Sequence, residues 1–172
     1  MNKLKDIYLA GGCFWGTEHF VKMINGVVDT KVGYANSTID NPDYKTVCSG
    51  VTNAAETVKV TYDSNVLSLS LLLELYFKTI DPTSLNKQGG DIGTQYRTGI
   101  YYTDSSSIPT INEEIEKLQK NFNHKIVIEV SALKNFFPAE EYHQDYLSNN
   151  PRGYCHVNPQ LFTLAKEANR NK

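Results

Sequence analysis

The residues best suited to chemistry in this 172-residue chain stand near its start, in Gly11-Gly12-Cys13-Phe14-Trp15-Gly16. A cysteine behind two glycines, where a short strand over residues 7–10 turns into a helix beginning at or just after Cys13, has its sulfur near a helix N-terminus. The macrodipole and free N–H groups there favour the thiolate, the form of cysteine that attacks an electrophile. The glycines allow a tight turn and leave room above the sulfur. Phe14 and Trp15, the chain's single tryptophan, can wall an apolar pocket beside it. Taken alone, the same cysteine reads equally as a small buried thiol among core aromatics. Cys48 and Cys155 make the count three, an odd number in a chain long enough to hold a core without disulfide staples. The four histidines, His19, His124, His143 and His156, lack the paired spacing of a zinc site, so no metal is expected. The glycines of GGDIGTQY do not form the GxGxxG fingerprint, so no nucleotide cofactor is expected.

These groups must be positioned by the surrounding elements. Alternating or β-branched runs predict strands over residues 27–34, 56–62, 97–102 and 125–130. Leu72, Leu75, Tyr76 and Ile80 recur at helical spacing within 69–80, which Asp81-Pro82 stops. Ile111, Ile115, Leu118 and Phe122 do the same within 109–122. The irregular alternation of strands and helices, with no repeat and no linker, predicts an α+β fold. The expected form is a two-layer α/β sandwich with a mixed sheet, a ferredoxin-like plait core and long functional loops. One catalytic domain over 1–172 is expected, with 135–172 a loop-rich C-terminal segment. The stretches 35–55, 81–96 and 135 onward lack clear periodicity, and long ordered loops are often functional.

Composition excludes several classes of function. Seventeen Lys and Arg against nineteen Asp and Glu leave a net charge of −2, with no positive excess for a phosphate backbone, so nucleic acid is not an expected partner. No apolar run approaches the ~20 residues that span a bilayer, and the N-terminus lacks a signal-peptide apolar stretch. A cytoplasmic, reducing location is expected, where an odd set of cysteines is catalytic or merely buried rather than a structural framework.

Four blocks, in order, resemble the peptide methionine sulfoxide reductases of the A type: GGCFWGTE around Cys13, PDYKTVCSG at 42–50, GGDIGTQYRTGIYY at 89–102 and EEYHQDYLSNNPRGYC at 140–155. They spread over nearly the whole chain. The resemblance implies that Cys13 is the nucleophile, Glu56 the acid, and Tyr44 and Tyr96 the donors to the sulfoxide oxygen. It gives Asp91 a supporting role, makes Phe14 and Trp15 the cradle for the substrate methyl group, and makes Cys155 the resolving cysteine. These roles are physically sensible, because a carboxyl near apolar rings can hold a proton near neutral pH and phenols donate hydrogen bonds without ionising. The implied reaction reduces methionine S-sulfoxide, free or in oxidised proteins. It leaves a Cys13 sulfenic acid, then a Cys13–Cys155 disulfide that thioredoxin or another dithiol reduces. No cofactor is implied, and a monomer is expected.

Cys48 is expected to be a packed bystander and His143 a structural hydrogen-bonding residue. Many members of the family carry Gly-His before the acid, whereas this chain has Asn53-Ala54-Ala55-Glu56. Two other readings stay open on the residues alone: a thiol peroxidase-like redox enzyme, and a non-catalytic module that binds methionine-containing peptides.

Overall fold

The computed structural model describes residues 3–170. The chain builds its sheet from two strands that carry the site at their ends. In β1 (Leu4–Ala10), Ile7 and Leu9 face one side and Tyr8 and Ala10 the other, as the two-residue period of a strand requires. The strand β3 (Ala55–Asp63) pairs antiparallel along the whole of β1 and also with β2 (Val27–Ala35). Glu56, Val58, Val60 and Tyr62 share one face of β3, so the carboxylate occupies a position in phase with the core.

The helices α1 (Phe14–Val21) and α3 (Leu69–Phe77) cover that face, contributing Phe20 and Val21 and Leu72, Leu73 and Tyr76 to its core. The α3 helix starts at Ser68, whose hydroxyl accepts the Leu71 N–H at 3.1 Å, a cap worth about 1 kcal/mol. Two short strands, β4 (Lys87–Gln88) and β5 (Asp91–Ile92), form a separate hairpin. The chain then enters β6 (Gly99–Tyr102), which pairs antiparallel with β1. The order β6-β1-β3-β2, joined as β-α-β-β-α-β, is the split βαβ plan of a ferredoxin-like plait.

Two further strands widen the sheet to six. After α4 (Ile108–Gln119), β7 (Glu129–Ala132) pairs parallel with β6, and β8 (Phe136–Pro138) pairs antiparallel with β2. The sheet is therefore mixed. Its other face carries a small cluster of Tyr8, Ala10, Ala35, Ala55 and Tyr101, with Phe136 edge-on to Tyr8 at 5.1 Å.

The strand expected over 125–130 begins only at Glu129 and runs on to Ala132. Residues 125–128 stay irregular: Ile126 donates its N–H to the Gln119 side chain and Val127 to the Pro82 carbonyl, while Ile126 and Ile128 bury their side chains. The alternating pattern reported burial without ladder pairing. The C-terminal stretch holds more order than expected, namely β8, α5 (Tyr146–Asn149) and α6 (Gln160–Glu167). Within the stretch 35–55 lies α2 (Tyr44–Cys48), capped by Asp43, which accepts the Thr46 N–H at 2.7 Å. No helix among the described residues is long and apolar enough to cross a membrane.

Candidate active site

Cys13 is the N-cap of α1, at the point where the chain leaves β1. The end of that strand is pinned by Tyr76, whose buried hydroxyl donates to the Ala10 carbonyl at 2.5 Å. Gly12 has φ +73°, a conformation that side chains rarely adopt, and its N–H donates to the Tyr96 carbonyl at 3.1 Å. One glycine thus makes the turn and ties the Cys13 loop to the segment bearing Tyr96.

Glu56 lies beneath this turn at 1% exposure, and its Oε1 accepts the Phe14 N–H at 3.2 Å. Its Oε2 is buried without a partner. Burial raises the carboxyl to about 8; the Phe14 N–H opposes the shift and Asp91 adds to it. At neutral pH Glu56 therefore mostly carries a proton, with one oxygen free to use it.

The helix N-terminus does not make Cys13 a thiolate at rest. Burial pushes the thiol well above its ordinary range, the Glu56 charge adds to this, and the backbone N–H of Trp15 pulls weakly the other way. At 7% exposure the desolvation of a sulfur anion outweighs the first turn of an eight-residue helix. The resting pair is a thiol beside a carboxylic acid.

Aromatic rings wall the space around them. Phe14 lies 5.8 Å from Tyr34 and 5.2 Å from His143, centroid to centroid. Trp15 stacks on Tyr146 at 3.7 Å and donates its indole N–H to His143 Nδ1 at 3.0 Å. That bond requires the Nδ1 lone pair, so His143 is neutral with its proton on Nε2, which faces Glu140 Oε2 at 3.6 Å. Burial lowers its basicity in the same sense. His143 thus has a hydrogen-bonding partner of the structural kind, and it also packs on Tyr44 at 4.7 Å.

Tyr44 opens α2, and Tyr96 closes a 3-10 turn at Thr94–Tyr96. Burial pushes both phenols far above their usual range. The neighbouring Cys48 adds to the effect at Tyr44, and Glu56, Cys48, Asp91 and Cys13 add to it at Tyr96. Both remain O–H donors throughout the physiological range. Asp91 reaches the same region from β5 and accepts the Tyr154 hydroxyl at 3.2 Å. Cys48 is exposed at the end of α2, not packed in the core, because α2 lies at the rim of the site.

Cys155 lies against the first turn of α1, over Gly16. A side-chain carbon at Gly16 would stand 3.0 Å from its sulfur and 3.1 Å from His156 Nδ1, so glycine is what admits the segment. Its sulfur points to the Val157 carbonyl at 3.6 Å. Residues 154–156 carry no regular structure.

Asn53, at φ 50°, takes the left-handed turn before β3, a conformation asparagine tolerates. Ala54 and Ala55 are buried, so Glu56 takes its tuning from burial and the Phe14 amide. Sequence reasoning missed Tyr34, Tyr146 and Tyr154. The last two lie inside the block EEYHQDYLSNNPRGYC, which was the signal available; the structure sets Tyr146 on Trp15 and Tyr154 on Asp91.

A buried thiol, a protonated carboxyl, two phenols and an aromatic wall gathered on a plait fold are suited to redox chemistry on a small, partly apolar substrate. The family model described as peptide methionine sulfoxide reductase matches residues 5–172, and the chain belongs to that family. It is 58% identical over 154 residues to the peptide methionine sulfoxide reductase MsrA of Mycoplasma genitalium, covering 90% of this chain and 98% of that protein. Among solved structures, it superposes on reduced Mxr1 from Saccharomyces cerevisiae with a TM-score of 0.86 and 42% identity, over 91% of this chain and 92% of that one. It also matches Mxr1 in complex with Trx2, with a TM-score of 0.60 and 29% identity, over 84% of this chain and 85% of that one. The enzyme is an oxidoreductase that reduces methionine sulfoxide.

Proposed function

We propose that the chain reduces the S epimer of methionine sulfoxide, free or in oxidised proteins, with Cys13 as nucleophile and Glu56 as acid. The observation that carries the reading is the protonated, singly bonded Glu56 beside the Cys13 thiol, under an aromatic wall. Tyr44 and Tyr96 hold the sulfoxide oxygen. Phe14 and Trp15 take the methyl group, and Asp91 raises the proton affinity of Glu56 and Tyr96. Glu56 gives its proton to the oxygen as the Cys13 sulfur attacks, and it recovers one from the thiol. The substrate sulfur gains two electrons and leaves as the thioether; Cys13 loses two and keeps the oxygen as a sulfenic acid.

Cys155 then forms a disulfide with Cys13 and releases water. A thioredoxin or similar dithiol reduces that disulfide; the complex of the relative Mxr1 with Trx2 supports such a partner. The catalytic unit is taken as one domain over 1–172, monomeric and cytoplasmic, without a bound cofactor, and the segment after residue 135 supplies the resolving thiol.

Cys155→Ser is the direct test. With excess substrate it is expected to release about one equivalent of methionine from the S epimer and then stall with thioredoxin, whereas the R epimer yields none. Sustained thioredoxin-driven turnover would remove Cys155 from the relay. Trp15→Phe keeps the ring but loses the bond to His143. A net hydrogen bond of about 1 kcal/mol predicts a KM raised roughly fivefold with kcat little changed; steady-state kinetics on the S epimer measure both.

A further inference from the structure

His156 follows the resolving cysteine in sequence, and its ring lies over the first turn of α1. A side-chain carbon at Gly12 would stand 3.0 Å from both Nε2 and Cε1 of this ring, and one at Gly16 would stand 3.1 Å from Nδ1. The polar edge of the imidazole thus spans the two glycines that flank Cys13. Its Nε2 end faces the residue before Cys13. Its Nδ1 end shares with the Cys155 sulfur the space above Gly16. Both nitrogens are buried without a well-formed hydrogen bond.

The resolving step needs a proton carrier. Cys13 is by then the sulfenic acid, and burial raises the Cys155 thiol, so the attacking sulfur starts protonated and the departing hydroxide needs a proton. We propose that His156 carries the proton of the resolving step: Nδ1 accepts it from the Cys155 thiol as that sulfur attacks the Cys13 sulfenic acid, and Nε2 delivers a proton to the departing hydroxide. The S–S bond forms and the S–O bond breaks. Cys155 is oxidised, Cys13 is reduced, and water leaves. The imidazole ends neutral in its other tautomer. The proposal rests on the Cys13–Cys155 relay described above.

The groups set against the ring are Asp91 from the hairpin, the Gly11 carbonyl, and the Cys155 sulfur that shares the space above Gly16. Burial lowers the basicity of His156, while Asp91 and the Gly11 carbonyl oppose this. The ring is thus neutral, and able to act as a base, at pH 7.

The experiment mixes reduced enzyme with methionine S-sulfoxide in a single turnover and follows two signals, methionine released and Cys13–Cys155 disulfide formed, from pH 5 to 8. In the unaltered enzyme the disulfide rate is expected to rise with pH through the imidazole titration and then level off. In His156→Gln the disulfide rate, relative to the methionine rate, is expected to fall roughly 100-fold, the lower end of general-base contributions, and to lose that rise. A relative rate within threefold of the unaltered enzyme overturns the proposal. So does a slower step that keeps the same pH rise, which would mark a packing role. If that variant does not fold, His156→Asn is put through the same comparison, and a relative rate within threefold overturns the proposal equally. Absence of methionine from the unaltered enzyme, or of the Cys13–Cys155 disulfide after methionine release, would instead fault the underlying relay.

Discussion

Cys13→Ser is expected to abolish reduction of methionine S-sulfoxide, a loss of at least about 10⁴-fold and a small part of what enzymes supply over the uncatalysed reaction. The expectation follows from electron accounting. The nucleophile must give up two electrons and carry the substrate's oxygen away, and a sulfur does so as a sulfenic acid. A serine oxygen would have to become a peroxide. The substitution should not harm the fold, because position 13 is the N-cap of α1 and its cysteine makes no side-chain capping bond. Serine is among the preferred N-caps, and stability is expected to be unchanged or raised by up to about 1 kcal/mol. Methionine release and thermal unfolding measured on one preparation therefore separate chemistry from folding. Retention of a tenth of the activity by a folded variant would remove Cys13 from the mechanism.

What could be read from the residues, and what could not, divides along physical lines. The β1–α1 turn was legible because Gly12 needs a positive φ and Gly16 needs an empty surface, and both requirements select one residue type. The helices α3 and α4 were legible from their period. Residues 125–128 misled because alternation reports burial of one face and carries no information about ladder partners. The short elements α2, β4, β5 and β8 were not legible, since two to five residues hold too little periodicity and their stability comes from caps and from neighbours remote in sequence.

Within the site, Glu56 was singled out only through the family resemblance, since taken alone it reads as a solvated carboxylate at a strand start; the structure places it in phase with Val58 and Val60, facing the core. Its protonation was not visible, because desolvation depends on what covers it. The Cys13 thiol went the other way from expectation for the same reason. A helix N-terminus can be read from local sequence, whereas the burial that outweighs it comes from segments 30 to 140 residues away, counted roughly. The cage of Trp15, His143 and Tyr146 likewise joins residues more than 120 positions apart.

Glu56→Gln is expected to act in opposite directions on activity and stability. Glutamine keeps an oxygen that can accept the Phe14 N–H but has no acid proton to give, so kcat is expected to fall about 10²- to 10⁴-fold, the usual share of a general acid. With Glu56 as the proposed acid its protonated form is the active one, so the activity of the unaltered enzyme is expected to decline as pH rises through about 8. The residual activity of the variant should lack that decline. Stability moves the other way. The folded carboxyl titrates near 8 and the unfolded one near its ordinary 4.5, so between these values the folded chain holds a proton that the unfolded chain has lost. The stability of the unaltered enzyme is therefore full below about 4.5, falls as pH rises toward 8, and levels off where both states are ionised. At 1.36 kcal/mol per pKa unit, the penalty at pH 7 is roughly 3 kcal/mol. Glutamine cannot ionise and escapes it. The variant is expected to unfold roughly 5–10 °C higher than the unaltered enzyme at pH 7 and at about the same temperature at pH 4.5. Calorimetry at both pH values tests this. Equal shifts at the two would mean that the buried carboxyl is already ionised in the folded protein, and Glu56 could then not be the acid. A gain confined to neutral pH, together with a collapse in turnover, is what a carboxyl kept protonated for catalysis at a cost in stability should produce.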